Sequence, residues 1–203
     1  QGLLRRVACR WVVDASGRAG QTDRWLAQLG TPAPLTETAY PEVRYVSAEF
    51  SRSITEGPDL AGWLNTASAP QSRGGLIAPV ENGRWIVTAS SRFDETVPED
   101  EEGFRAFIEN LNDTRLGPLL RPEHRLSEFS RYRVAATRLK RFDLSSSRLP
   151  PGYLPVGDAI ASFNPVYGQG LSVAALQVEC LDHALRKISV QDGWQVQLRD
   201  SYL

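Results

Sequence analysis

The sequence holds 203 residues, with 23 Lys plus Arg against 24 Asp plus Glu and a net charge of −1. A chain of that length buries a substantial core and has room for one or two domains, and its charge balance argues against a nucleic-acid partner. No apolar run of about 18 residues is present and no signal-peptide pattern opens the chain, so no transmembrane segment and a cytoplasmic location are expected.

In chain order, residues 7–13 (VACRWVV) form the first apolar run and predict a strand near a sheet interior. The run ends at Asp14-Ala15-Ser16-Gly17-Arg18, a tight turn in which glycine takes positive φ. A plain strand–turn–helix connection and a ligand-binding turn both fit those residues. Thr22 or Asp23 is placed to cap a short helix through Leu29, closed by Gly30. Residues 31–42 carry three prolines and read as a linker. Val43 to Phe50 alternates loosely, as a half-buried strand does, and residues 55–72 are irregular. Leu76 to Val80 and Arg84 to Ser90 then predict two strands joined at Asn82-Gly83, a strong hairpin signal.

From Pro98 the period changes. Glu99 to Glu102 suits the positive end of a helix dipole, and Phe104, Phe107, Ile108 and Leu111 make one apolar stripe. The acidic run reads as capping rather than as a metal site. Leu116 to Pro122 is a second short helix or turn, residues 127–139 a single strand carrying several arginines, and 145–152 a polar connection. Cys9 and Cys180 lack C-x-x-C or ligand spacing and are expected as buried free thiols. His124 and His183 suggest no zinc site.

The most informative stretch is residues 153–185. An apolar strand, Tyr153 to Val156, stops at Gly157-Asp158. A loop follows with turn signals at Asn164-Pro165 and Gly168-Gln169-Gly170. From Leu171 a helical stripe begins, through Ala174, Ala175, Val178, Leu181, His183 and Leu185. Strand, glycine-rich loop and long helix together present free backbone N–H groups to an anionic or electron-rich ligand. Asp158, at the strand's carboxyl end, is placed to accept hydrogen bonds from ligand hydroxyls, although an Asx-turn or helix cap also fits it. The expected fold is α/β of mixed α+β character. Residues 1–30 and 153–203 form part of a three-layer nucleotide-binding domain, and residues 31–152 an inserted, mainly antiparallel sheet domain.

Gly157-Asp158-Ala159 followed by Asn164-Pro165-Val166-Tyr167-Gly168-Gln169-Gly170 resembles the second FAD motif of the flavoprotein monooxygenases with the para-hydroxybenzoate hydroxylase fold. Relatives on that fold include epoxidases, halogenases and isoprenoid reductases. Val12-Val13-Asp14-Ala15-Ser16-Gly17-Arg18 is similar to the segment these proteins place before their substrate domain. Their opening G-x-G-x-x-G is not in this sequence. With Gln1 at the start and no Met anywhere, the chain reads as the C-terminal portion of such an enzyme.

The resemblance implies FAD as cofactor, with NAD(P)H as electron donor and dioxygen as co-substrate. Asp158, beside Gly157, would hold the ribityl chain, and Pro165 would shape the loop along the isoalloxazine ring. Gly168, Gln169 and Gly170 would turn backbone N–H groups toward the ring's pyrimidine edge. Asp14, Gly17 and Arg18 are the remaining cofactor candidates, Arg18 for the phosphate or adenosine region. Phe163 and Tyr167 either meet the ring or fill the core. The middle sheet would roof a small apolar or aromatic substrate, with Trp63, Trp85, Phe93 and Tyr132 as lining candidates. An isoprenoid or lipid reductase of the same fold and a non-catalytic binding module with a degenerate flavin fold are the alternatives. A halogenase fits less well, because neither Lys140 nor Lys187 stands in a catalytic context. Strands left without neighbours would favour self-association. Without the pyrophosphate-binding turn, the 203-residue polypeptide is expected to bind FAD with a dissociation constant in the micromolar range or weaker. Isothermal titration checks this, and a one-to-one sub-micromolar complex would contradict it.

Overall fold

The computed structural model describes residues 6–52, 61–93, 95–111, 119–189 and 191–203. In chain order the elements are β1 (Val12–Asp14), α1 (Thr22–Gln28), β2 (Thr36–Ala39), β3 (Val43–Ser51), β4 (Trp63–Asn65), β5 (Gly74–Val80), β6 (Arg84–Arg92), α2 (Glu101–Glu109), β7 (Ser130–Val134) and β8 (Thr137–Lys140). They continue with β9 (Tyr153–Pro155), β10 (Ala161–Ser162), α3 (Gln169–Lys187) and α4 (Trp194–Tyr202), with short 3-10 turns between. The fold is mixed α/β, and the chain divides into two compact units, residues 40–135 and residues 1–39 with 136–203.

The 40–135 unit is a five-stranded antiparallel sheet in the order β4-β5-β6-β3-β7. Asn82 and Gly83, with φ of 61° and 64°, close the β5–β6 hairpin, a backbone region that Asn and Gly enter at low cost. Pleating sends Val46, Ala48 and Phe50 of β3 to one face together with Ile77, Trp85, Val87 and Ala89. Against that face lies α2. Its N-terminus is capped by Asp100, whose side chain accepts from the Gly103 N–H at 2.8 Å, with Glu101 and Glu102 in the first turn. The predicted stripe of Phe104, Phe107, Ile108 and Leu111 is buried in this core.

In the other unit β1 and β9 pair in parallel, Val12 opposite Tyr153 and Asp14 opposite Pro155. Successive β9 side chains point to opposite sides. Leu154 and Val156 pack with Leu181 and Ala184 of α3 and Leu198 of α4, while Tyr153 packs with Leu26 of α1, Phe142 and Leu149. Helices on both sides of a parallel strand pair make the three layers. A second small sheet, β10-β8-β2, is antiparallel.

Several expectations change. The strand in 7–13 shortens to β1, and Val12 and Val13 are exposed rather than interior, because β9 is its one strand partner among the described residues. The expected linker contains β2, which finds β8 about a hundred residues on. The single strand over 127–139 is two strands in different units, since β7 pairs with β3 and β8 with β2 and β10. Residues 31–39 and 136–152 therefore group with the chain ends, which moves the expected boundaries inward. Helix α1 is not capped by a side chain. Cys9 and Cys180 are free but exposed. Of the α3 stripe, Leu181 is buried, whereas Leu171 and Val178 lie on the solvent side. Part of the irregular stretch at 55–72 and of the turn at 116–122 lies outside the described residues. Among the described residues no helix is long and apolar enough to cross a membrane.

Phe104 is 1% exposed, and its ring lies 4.9 Å from that of Phe129, centroid to centroid. Phe104→Ala should lower unfolding free energy by about 3–5 kcal/mol, the usual cost of an aromatic-sized cavity. Denaturant unfolding measures it, and an unchanged midpoint would contradict this packing.

Candidate functional site

The two motifs meet at the carboxyl ends of β1 and β9. Asp14 closes β1 and is buried. One carboxylate oxygen accepts from the Ser16 N–H at 3.0 Å and the Ser16 hydroxyl at 2.5 Å. The other accepts from the Thr22 hydroxyl at 2.6 Å and the Tyr153 hydroxyl at 2.5 Å. Burial pushes the Asp14 pKa up, but the donors from Ser16, Thr22 and Tyr153 outweigh it and hold the carboxyl below its ordinary value of 3.8. Tyr153 is pushed well above a normal phenol by burial and by its bond to that carboxylate. Asp14 thus serves the protein's own donors. Thr22, expected as a helix cap, gives its hydroxyl to Asp14 instead.

From this turn Arg18 reaches across to the second motif, where its guanidinium donates to the Phe163 carbonyl at 2.8 Å. Gly17 sits in the same turn with φ of 75°. At the end of β9 the chain turns through Gly157–Ala159. The Gly157 N–H donates to the Gln177 side-chain oxygen at 2.5 Å, which ties the turn to the body of α3. Asp158, next in line, is exposed and makes no hydrogen bond or ion pair with any described residue. Neither an Asx-turn nor a helix cap engages its carboxylate.

After β10, Asn164 accepts from the Val166 N–H at 3.2 Å and starts a 3-10 turn with Pro165 in its first position. Gly168 ends that turn in the left-handed region at φ of 62° and is also the N-cap of α3, with no side-chain cap bond. A Cβ built on Gly168 or on Gly170 meets nothing within 4 Å. The Gly168 N–H donates to the Pro165 carbonyl at 2.9 Å, and the 19-residue helix after it begins without a side-chain cap, which suits an electron-rich group. Leu171 in its first turn is 85% exposed. Phe163 is half-buried and Tyr167 exposed.

The β2–β8–β10 sheet leads directly into this loop. One face of it holds a cavity of about 390 Å³, lined by Glu37, Ala39, Thr137, Leu139, Ala161 and Phe163. Thr137, Leu139 and Ala161 carried no sequence signal, because the strands that align them are far apart in the chain. Gln177 was missed for the same reason. A larger groove of about 820 Å³ lies between α3 and α4 and touches no residue of either motif. Lys140 is held by Asp23 at 2.7 Å, and Lys187 ends α3.

The 40–135 unit carries a second surface. On the sheet face opposite α2, Tyr45 and Tyr132 stand with ring centroids 6.3 Å apart, and the Ser47 and Thr88 hydroxyls are 2.8 Å apart. Of the four aromatic lining candidates, Tyr132 and Phe93 are exposed. Trp85 is a fully buried core residue and Trp63 packs against the same core.

No protein-family model matches the chain. It is 33% identical over 183 residues to Protein Rv3254 of Mycobacterium tuberculosis, covering 89% of this chain and 38% of that protein. Among solved structures, a variant of the flavin-dependent brominase Bmp2 superposes with a TM-score of 0.63 at 15% identity, over 97% of this chain and 48% of the brominase. Klebsiella pneumoniae HpxO, solved with FAD and uric acid, superposes with a TM-score of 0.59 at 16% identity, over 94% of this chain and 46% of HpxO. This chain has the para-hydroxybenzoate hydroxylase-type fold and spans about half the length of those structures.

The Asp14 network sets an acid limit on the fold. A carboxylate whose folded pKa lies below its unfolded value contributes stability that is complete above the unfolded value, 3.8, and is lost as pH falls through the lowered one. Asp14→Asn should destabilise the chain at pH 7 and flatten the loss of stability below about pH 4. Thermal unfolding across pH 2.5–7 checks both, and an unchanged acid limb would contradict the network.

Proposed function

We propose that this chain supplies the flavin-ring side of the cofactor site and the substrate surface of an FAD-dependent monooxygenase. The electron donor in this reading is NAD(P)H, and the substrate is a small apolar or aromatic molecule. The observation that carries it is the unengaged Asp158 carboxylate at the end of β9, beside an uncapped α3 that begins at two glycines in open space. An acceptor with no protein partner suits ligand hydroxyls, and an uncapped helix start suits a partly negative group. The fold is shared with proteins solved with FAD bound, which favours a flavin over other ligands of that kind.

In this reading Asp158 accepts the ribityl hydroxyls, with Gly157 as the turn that places it. Pro165 shapes the loop beside the ring, its carbonyl holding the Gly168 N–H, and the amides at Gln169 and Gly170 favour negative charge at the ring's edge. Asp14 and Gly17 hold the first turn in shape, and Arg18 locks that turn to the loop through Phe163. The apolar cavity at Leu139, Ala161 and Phe163 excludes water. FAD, when bound, supplies the redox and dioxygen chemistry, and the chain's own residues bind, orient and dry the site.

Two substitutions in the full-length polypeptide test the reading. Asp158→Ala removes one or two charge-assisted hydrogen bonds, so FAD affinity should fall about ten-fold or more. Gly170→Val adds a side chain where the protein leaves space, so the fold should persist while FAD occupancy drops. Flavin absorption of the purified proteins, with circular dichroism as the folding control, gives the answer. Unchanged occupancy in both variants would sink the assignment.

A further inference from the structure

We infer that the 40–135 unit carries an oxyanion site on the α2 side of its sheet, built from Arg44, Arg131 and Arg133 and suited to a phosphate-type dianion. β3 and β7 pair so that Arg44 stands directly opposite Arg133, and Arg131 opposite Val46. Residues two apart on a strand share a face, and Val46 belongs to the core on the α2 side. All three arginines therefore issue from that face. Together with Thr96 and Glu99 they line a cavity of about 320 Å³ that Tyr45 and Tyr132 also line.

Like charges directly across an antiparallel pair are unfavourable unless something offsets them. Arg44 is fixed by the carbonyls of Phe93 and Glu95, the second at 3.1 Å. Neither carbonyl carries a full charge, so the bonds orient the guanidinium without neutralising it. Phe93 holds its carbonyl there with φ of 61°, a conformation that a bulky side chain adopts only when its surroundings impose it. Arg131 pairs with Glu99. Arg133 makes no hydrogen bond or ion pair with any described residue. Among the described residues that line the cavity, three guanidinium groups thus face one carboxylate, an excess of two positive charges (3 − 1 = 2). Guanidinium forks donate in pairs to tetrahedral oxyanions, and two charges match a phosphate monoester. None of the three arginines has a role in the flavin reading, so the proposal stands or falls separately from it.

Phosphate binding to the purified protein tests the site, by phosphorus NMR titration and by thermal unfolding in phosphate against chloride at equal ionic strength. One phosphate per chain with a millimolar dissociation constant is expected, with a higher melting temperature in phosphate. Arg133→Gln, an exposed change on an edge strand, should weaken binding about ten-fold, because a charge-assisted fork is lost. Arg131→Gln should weaken it similarly. Arg186→Gln, on α3 in the other unit, should leave it unchanged. A parallel titration with NADP+ and NAD+ separates the sources of the phosphate. An NADP+ preference that disappears in Arg133→Gln means the group arrives on the dinucleotide. Equal affinities alongside phosphate binding mean a free oxyanion or another monoester. Absence of both phosphate binding and an NADP+ preference, or binding that survives both arginine variants, would overturn the site.

Discussion

One buried carboxylate holds the unit of residues 1–39 and 136–203 together. Asp14 joins β1 to its own turn through Ser16, to α1 through Thr22 and to β9 through Tyr153. A charge in that position is tolerated only because every lone pair in use meets a donor. The consequence is geometric. With β1 and β9 tied to one group, the turns that follow the two strands leave the sheet side by side, and Arg18 of the first reaches Phe163. Removing one donor leaves a buried carboxylate short of a partner, whereas removing an ordinary surface hydrogen bond costs little.

The loop of residues 163–170 leaves the start of α3 without a side-chain cap. A side-chain cap at the start of α3 would satisfy one of its free amides and stabilise the helix by about 1 kcal/mol. Gly168 offers no such group, and Gly168 and Gly170 leave their surroundings empty. Gln177 and Asn164 supply the rigidity instead, by binding backbone N–H groups on either side of the opening. Asp158 is exposed and unengaged among the described residues.

The antiparallel unit separates its work by sheet face. Alternating side chains place Val46, Ala48, Phe50, Trp85 and Val87 against α2, so the core needs only that face. The opposite face is free to carry Tyr45, Tyr132, Ser47 and Thr88. At the β3–β7 end the core face runs out of apolar residues and becomes the arginine cluster, where Glu99 and two carbonyls are the acceptors.

Much of the architecture was legible wherever its cause is local. The Asn82-Gly83 hairpin, the Asp100 cap with the Phe104–Leu111 stripe, and the passage from the Tyr153 strand to the α3 helix rest on neighbours within a few residues, and each stands as expected. The turns and the uncapped helix start in the run from Gly157 to Gly170 were legible too, because they are written in consecutive residues. Partners across long stretches of chain decided the rest. Tyr153 meets Asp14 across 139 positions, which turned a ligand candidate into the unit's central bond. The pairing of β2 with β8 converted a proline-rich linker into a strand and split the 127–139 segment between two sheets. The hydrophobic pattern of α3 named its apolar residues but not the side that packs, since a helix buries whichever face its neighbours cover. Tertiary structure alone could settle these points, because they depend on which surfaces meet rather than on what each segment prefers by itself.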